Sequence, residues 1–105
     1  MSAFRKSAYR APVSQEKVKA DFAGFSFGVF RDSPGQVWAD FMHATDEFVV
    51  VAEGLMEIEV AGETAACEPG DLVLIPAGAS HTLRTSRQGG SVWYYGYGTF
   101  GGANG

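Results

Sequence analysis

Gly35-Gln-Val-Trp-Ala-Asp-Phe-Met-His-Ala-Thr-Asp-Glu-Phe-Val-Val-Val-Ala-Glu-Gly54 decides the fold, together with a second stretch, Gly70-Asp-Leu-Val-Leu-Ile-Pro-Ala-Gly-Ala-Ser-His-Thr-Leu-Arg-Thr85. Both are short β-type runs bounded by glycine. Side chains alternate along a strand, so Phe41 and His43 are expected to share a face with Val37 and Ala39, leaving Trp38, Asp40 and Met42 on the other. Ala44-Thr45-Asp46 has the length of a tight turn, and Glu47 opens a returning strand with Val49 and Val51 on its face. His43 and Glu47 are therefore expected on adjacent strands, aimed into one cavity. Pro76-Ala77-Gly78 turns the chain so that His81, on a third strand, reaches the same place. Both histidines of the chain thus fall beside one carboxylate.

Working outward, turn signals recur every six to ten residues from Gly24 onward. Strands are expected over 25–30, 36–44, 47–52, 55–60, 63–68, 71–75, 80–85 and 91–99. Asp32-Ser33-Pro34-Gly35, Ala61-Gly62, Pro69-Gly70 and the segment 87–90 separate them. Gly35, Gly54, Gly70 and Gly78 read as turn positions and Pro76 as a rigid turn entry, so they carry the fold rather than the chemistry. The N-terminal segment differs: Ser14 caps a helix expected over 15–22, ending before Gly24. Residues 1–23 read as an arm with a short helix, 24–100 as one β domain, and 101–105 as a flexible tail.

The chain has 105 residues, 46% of them hydrophobic, enough for a single core. A net charge of −4 gives no electrostatic footprint for nucleic acid. No signal-peptide pattern and no run of about 20 apolar residues is present, so no membrane partner is expected. The single Cys67 excludes an internal disulfide and is read as a buried filler; a cytoplasmic location is expected.

The spacings of Gly35, Phe41, His43, Glu47 and Gly54, and of Gly70, Pro76, Gly78, His81 and Thr85, resemble the two signature motifs of the cupin superfamily, G-x5-H-x-H-x3-E-x6-G and G-x5-P-x-G-x2-H-x3-N. Phe41 stands where the family usually has its first histidine, and Thr85 where it usually has asparagine. The resemblance implies an all-β fold, a double-stranded β-helix (jelly roll) forming a cupin barrel, with a short N-terminal helix or arm. It also implies a homodimer, since small cupins commonly pair through outer strands.

Two imidazoles and a carboxylate suit a mononuclear divalent metal such as Fe, Mn, Ni or Zn, with His43, Glu47 and His81 as ligands. Phe41 is expected beside them on the inward face, contributing no ligand. Asp46 caps its own turn or supports a ligand histidine, and Arg84 points outward by parity. Trp93, Tyr95 and Tyr97 share one face of the last strand, opposite Val92 and Tyr94. They fill a core or a subunit interface, with the tyrosine hydroxyls available to position a substrate. The expected function is metal-dependent chemistry on a small organic molecule, of dioxygenase, isomerase or lyase type, with no catalytic residue singled out. The alternative is a non-enzymatic ligand-binding or sensor module whose apolar, metal-free pocket is made by Phe25, Phe27, Phe41 and nearby valines. The regulatory half of a transcription factor is disfavoured, because the chain shows no DNA-binding segment.

Overall fold

Glycines and prolines end the strands where the turn chemistry requires. A computed structural model describes residues 2–86 and 88–100. In chain order the elements are β1 (Phe4–Arg5), α1 (Gln15–Asp21), β2 (Gly28–Asp32), β3 (Val37–Phe41), β4 (Asp46–Glu53), β5 (Met56–Val60), β6 (Glu63–Cys67), β7 (Leu72–Ile75), β8 (His81–Thr85) and β9 (Ser91–Gly98). The expected tail, 101–105, lies outside the described residues. Ala61 and Gly62, with φ of 48° and 88°, close the tight β5–β6 hairpin in the left-handed region that such a turn demands.

The strands form two antiparallel sheets, a five-stranded one in the order β1-β7-β4-β9-β2 and a four-stranded one in the order β3-β8-β5-β6. This is the jelly-roll arrangement expected from the motifs. One consequence differs from the expectation. Strands β3 and β4 follow one another in sequence but lie in different sheets, β3 pairing with β8 and β4 with β7 and β9. His43 and Glu47 therefore meet across the gap between the sheets, not along a shared ladder. Four residues, 42–45, are too many for a two-residue hairpin and enough to cross from one sheet to the other.

Between the sheets lies the main core, with Val49, Val51, Met56, Ile58, Val60, Val73, Ile75 and Leu83. A second core covers the outer face of the five-stranded sheet: Phe48, Val50, Ala52, Val92 and Tyr94 are roofed by Val13, Val18, Phe22, Phe25 and Phe27. Strand β4 is the central strand of its sheet and is buried on both faces, which is why Phe48-Val-Val-Val-Ala52 is continuously apolar rather than alternating. Helix α1 starts at Ser14, whose side chain accepts from the Lys17 N–H at 3.2 Å, and its Val18 is fully buried in that roof.

The N-terminal strand, not anticipated from the sequence, extends the five-stranded sheet by pairing Phe4 with Val73 and Arg5 with Leu72. Behind it the carboxylate of Asp71, 1% exposed, accepts from the Lys6 ammonium and from the backbone N–H groups of Ser7 and Glu68. Two residues form too short a run for a periodicity signal, so only this tertiary docking defines the strand.

Candidate metal centre

The three expected ligands converge. Glu47, at the start of β4, is 3% exposed and its Oε1 has no hydrogen-bond partner among the described residues. His81 Nε2 lies 3.3 Å from that oxygen and His43 Nε2 lies 3.5 Å from it. All three ligand atoms fall within 4.8 Å of one another. A buried carboxylate oxygen without a partner is costly, and two imidazole nitrogens aimed at it form the donor set a divalent cation takes. The residues fit a metal ion.

The His81 ring and the His43 backbone are held from behind. The Ala79 carbonyl lies 3.2 Å from His81 Nδ1. A carbonyl only accepts, so Nδ1 carries the proton and Nε2 faces the cavity. Burial works to lower the His81 pKa, but the Glu47 carboxylate and the Ala79 carbonyl outweigh it and the pKa is raised. The Gly78 N–H donates to the His43 carbonyl at 2.9 Å, tying the segment that follows β3 to the turn that precedes β8. Gly78 itself has φ of 82°, a conformation that favours glycine. Asp46 reaches beyond its own turn. It accepts from the N–H of Ala77 and of Phe100, each at 2.7 Å, and so braces the same loop.

Around the triad runs a closed girdle of rings. From His43 it passes to Tyr97 (centroids 4.9 Å apart), Tyr95 (5.9 Å), Trp93 (5.3 Å), Phe30 (5.3 Å), Trp38 (5.6 Å), Phe41 (6.1 Å) and back to His43 (6.3 Å). With Leu83, His81 and Glu47 these rings line a cavity of about 190 Å³. Phe41 sits beside the ligands, 6.2 Å from the His81 ring, and contributes no donor atom. The expected grouping of Trp93, Tyr95 and Tyr97 on one face is observed, but that face looks into the chain's own cavity. Burial, then the negative Glu47 and neighbouring Tyr95, raise the Tyr97 pKa, so its phenol stays protonated and can donate.

Two expectations fail here. Trp38 lines the cavity although parity placed it on the opposite face from Phe41. The β3–β8 register shifts between these residues, Trp38 opposing Leu83 and Phe41 opposing His81, so a bulge reverses the alternation. Val37, 50% exposed, is correspondingly outside. Phe25 and Phe27 do not join Phe41 in one pocket, since both pack in the outer core on the far side of the five-stranded sheet. Arg84 is exposed and paired with Glu57 at 3.1 Å, on the outer face as parity required. Cys67 is buried, its thiol pushed up to about 11 by burial, and is unreactive filler.

Sequence reasoning missed Asp32. It is 8% exposed, and its two carboxylate oxygens accept from the indole N–H groups of Trp38, at 3.0 Å, and Trp93, at 2.6 Å. Read locally, Asp32 opens an ordinary Asp-Ser-Pro-Gly turn, and no local signal distinguishes it.

With this geometry in hand, the comparisons with known proteins decide the family. The profile of the Cupin domain family matches residues 28–94. The chain belongs to the cupin family. Among solved structures, this cupin is 31% identical to a protein of unknown function from Rhizobium leguminosarum bv. viciae 3841, with a TM-score of 0.64 over 71% of this chain and 70% of that one. It superposes on the Cnp3 cupin domain of Schizosaccharomyces pombe with a TM-score of 0.67 at 16% identity, over 74% of this chain and 58% of that one. A salicylate 1,2-dioxygenase from Pseudaminobacter salicylatoxidans gives a TM-score of 0.62 at 19% identity, over 70% of this chain and 21% of the dioxygenase. The last two likenesses concern the fold alone. No curated protein matches the chain. Among the described residues no helix is long and apolar enough to cross a membrane.

Proposed function

We propose that this cupin holds one divalent metal ion through His43, Glu47 and His81 and acts on a small organic molecule bound in the aromatic cavity. The observation that carries the reading is the buried Oε1 of Glu47, which meets no hydrogen-bond donor in good geometry among the described residues yet lies 3.3 and 3.5 Å from two imidazole Nε2 atoms. Fe, Mn, Ni and Zn all accept such a donor set. When bound, the metal would supply Lewis-acid polarisation of a ligand oxygen. The chain's own residues orient and exclude: the Ala79 carbonyl orients the His81 ring, Gly78 ties down the His43 backbone, and Phe41 replaces a fourth protein ligand with an apolar wall. The Tyr97 ring stands beside the triad, its centroid 4.9 Å from that of His43. Dioxygenase, isomerase and lyase chemistry each begin with a small molecule held in this way, and the proposal covers all three.

Elemental analysis of protein purified without chelator or affinity metal tests the reading. His81→Ala is expected to lose the metal while keeping a cooperative thermal transition, and Phe41→His to retain more metal than the wild type by restoring a fourth donor. Unchanged metal content in both variants would sink it. A second reading, an apolar ligand-binding module without metal, is favoured by Phe41 and the girdle. It predicts ligand binding that is insensitive to His81→Ala.

We further propose a homodimer. Support comes from Val37 and Met42, which are 50% and 62% exposed on and just beyond β3, an edge strand of its sheet.

A further inference from the structure

The cavity is chemically divided. Around the girdle, Phe30 and Trp93 stand opposite His43, so the metal-ligating groups occupy one end and an aromatic wall the other. No lysine or arginine lines it among the described residues. A ligand carrying a second anionic group far from the triad would find no cationic partner there.

Nor does the wall offer hydrogen bonds through its indoles. Both indole N–H groups are already engaged by Asp32, Trp38 reaching it from the four-stranded sheet and Trp93 from the five-stranded one. The two tryptophans thus present only carbon surface and π-faces to a ligand. A sugar or polyol would have its hydroxyls desolvated against that wall, whereas a flat ring would stack on it. Size agrees, because a cavity of about 150 Å³ lined by apolar side chains accommodates benzene, and this one measures about 190 Å³.

We propose that the site takes a small molecule with a single flat, apolar ring and one oxygen-chelating head, the ring seated against Phe30, Trp38 and Trp93, and that Asp32 is the positioning residue that holds this wall. The inference rests on the metal reading above, since the head is assigned to the triad. Asp32 touches no ligand; it acts by locking two rings from opposite sheets in one orientation.

The test uses a pair of probes with the same chelating head, benzohydroxamate and acetohydroxamate, titrated calorimetrically into zinc-loaded protein. The chain's only two tryptophans are Trp38 and Trp93, so intrinsic emission reports on the wall alone. Benzohydroxamate is expected to bind at least tenfold more tightly and to shift the tryptophan emission, with acetohydroxamate leaving it nearly unchanged. In Asp32→Asn, whose side-chain carbonyl can accept from one indole but whose amide nitrogen cannot accept from the other, the preference should fall severalfold at unchanged zinc stoichiometry. Trp38→Ala, on an edge strand, should lower it too and serves where Asp32→Asn does not fold. Equal affinities for the two probes overturn the ring proposal and leave the metal reading standing. Failure to retain any of zinc, iron(II), manganese and nickel overturns both. A preference that survives Asp32→Asn in folded protein overturns the role of Asp32.

Discussion

Gly96 shows how tightly single residues are specified here. It lies on β9 opposite Phe48, and a Cβ built on it would come 1.8 Å from the Ser26 carbonyl oxygen and 2.6 Å from the Phe48 ring. The Phe48 ring is itself fixed by Phe22, stacked at 4.2 Å, and cannot give way cheaply. Gly96→Ala is expected to cost at least about 2–3 kcal/mol of stability or to prevent folding, as urea denaturation would show; a cost below about 0.5 kcal/mol would mean the contact is relieved at no expense. Legibility at this scale divides by the range of the interaction. His43, Glu47 and His81 could be found because their spacings resemble the two cupin signature motifs, which hold whatever the strand pairing. Trp38 could not, because the bulge that turns it inward is a mismatch with β8, more than forty positions away in sequence. Asp32 could not, because Trp93 is 61 positions away and Trp38, though only 6 positions on, lies in the other sheet.

At the scale of elements, the N-terminal segment is attached by few, separable interactions. Val18 is the one buried residue of α1, and Val18→Ala should cost roughly 2 kcal/mol through lost burial and the cavity left in the outer core. Ser14→Ala should cost about 1 kcal/mol by freeing the Lys17 N–H, measured in the same denaturation series. Asp71 ties the N-terminal strand down, and its contribution depends on pH. Burial acts to raise its pKa, but the hydrogen bonds from Lys6, Ser7 and Glu68 prevail and hold it below the ordinary 3.8. A carboxylate depressed on folding stabilises the native state fully above its unfolded pKa and loses that contribution as pH falls through the folded value. Asp71→Asn should therefore lower stability by roughly 2 kcal/mol near neutral pH, with the gap from wild type closing below about pH 3.8. A gap constant from pH 7 to pH 3 would contradict this. The helix was legible from its cap and boundary residues, as were most strands from their turns; the assignment of β3 and β4 to different sheets was not, since pairing partners are not encoded by periodicity.

For the whole molecule, the aromatic residues of β9 no longer argue for association, because Trp93 and Tyr94 are 9% and 8% exposed within a single chain. The exposed apolar side chains along β3 take over that argument. Light scattering at tens of micromolar should return twice the chain mass of 11.2 kDa, and Met42→Lys, at the most exposed of these positions, should shift it toward the monomer. A monomer mass for the wild type would overturn the proposal. The central claim, that two imidazoles and a buried carboxylate make a metal site, is tested most directly by stoichiometry. Chelator-stripped protein, equilibrated with a divalent ion and separated from free ion, should carry one ion per chain by elemental analysis. Fewer than about 0.1 ions per chain, across iron(II), manganese, nickel and zinc, would contradict it.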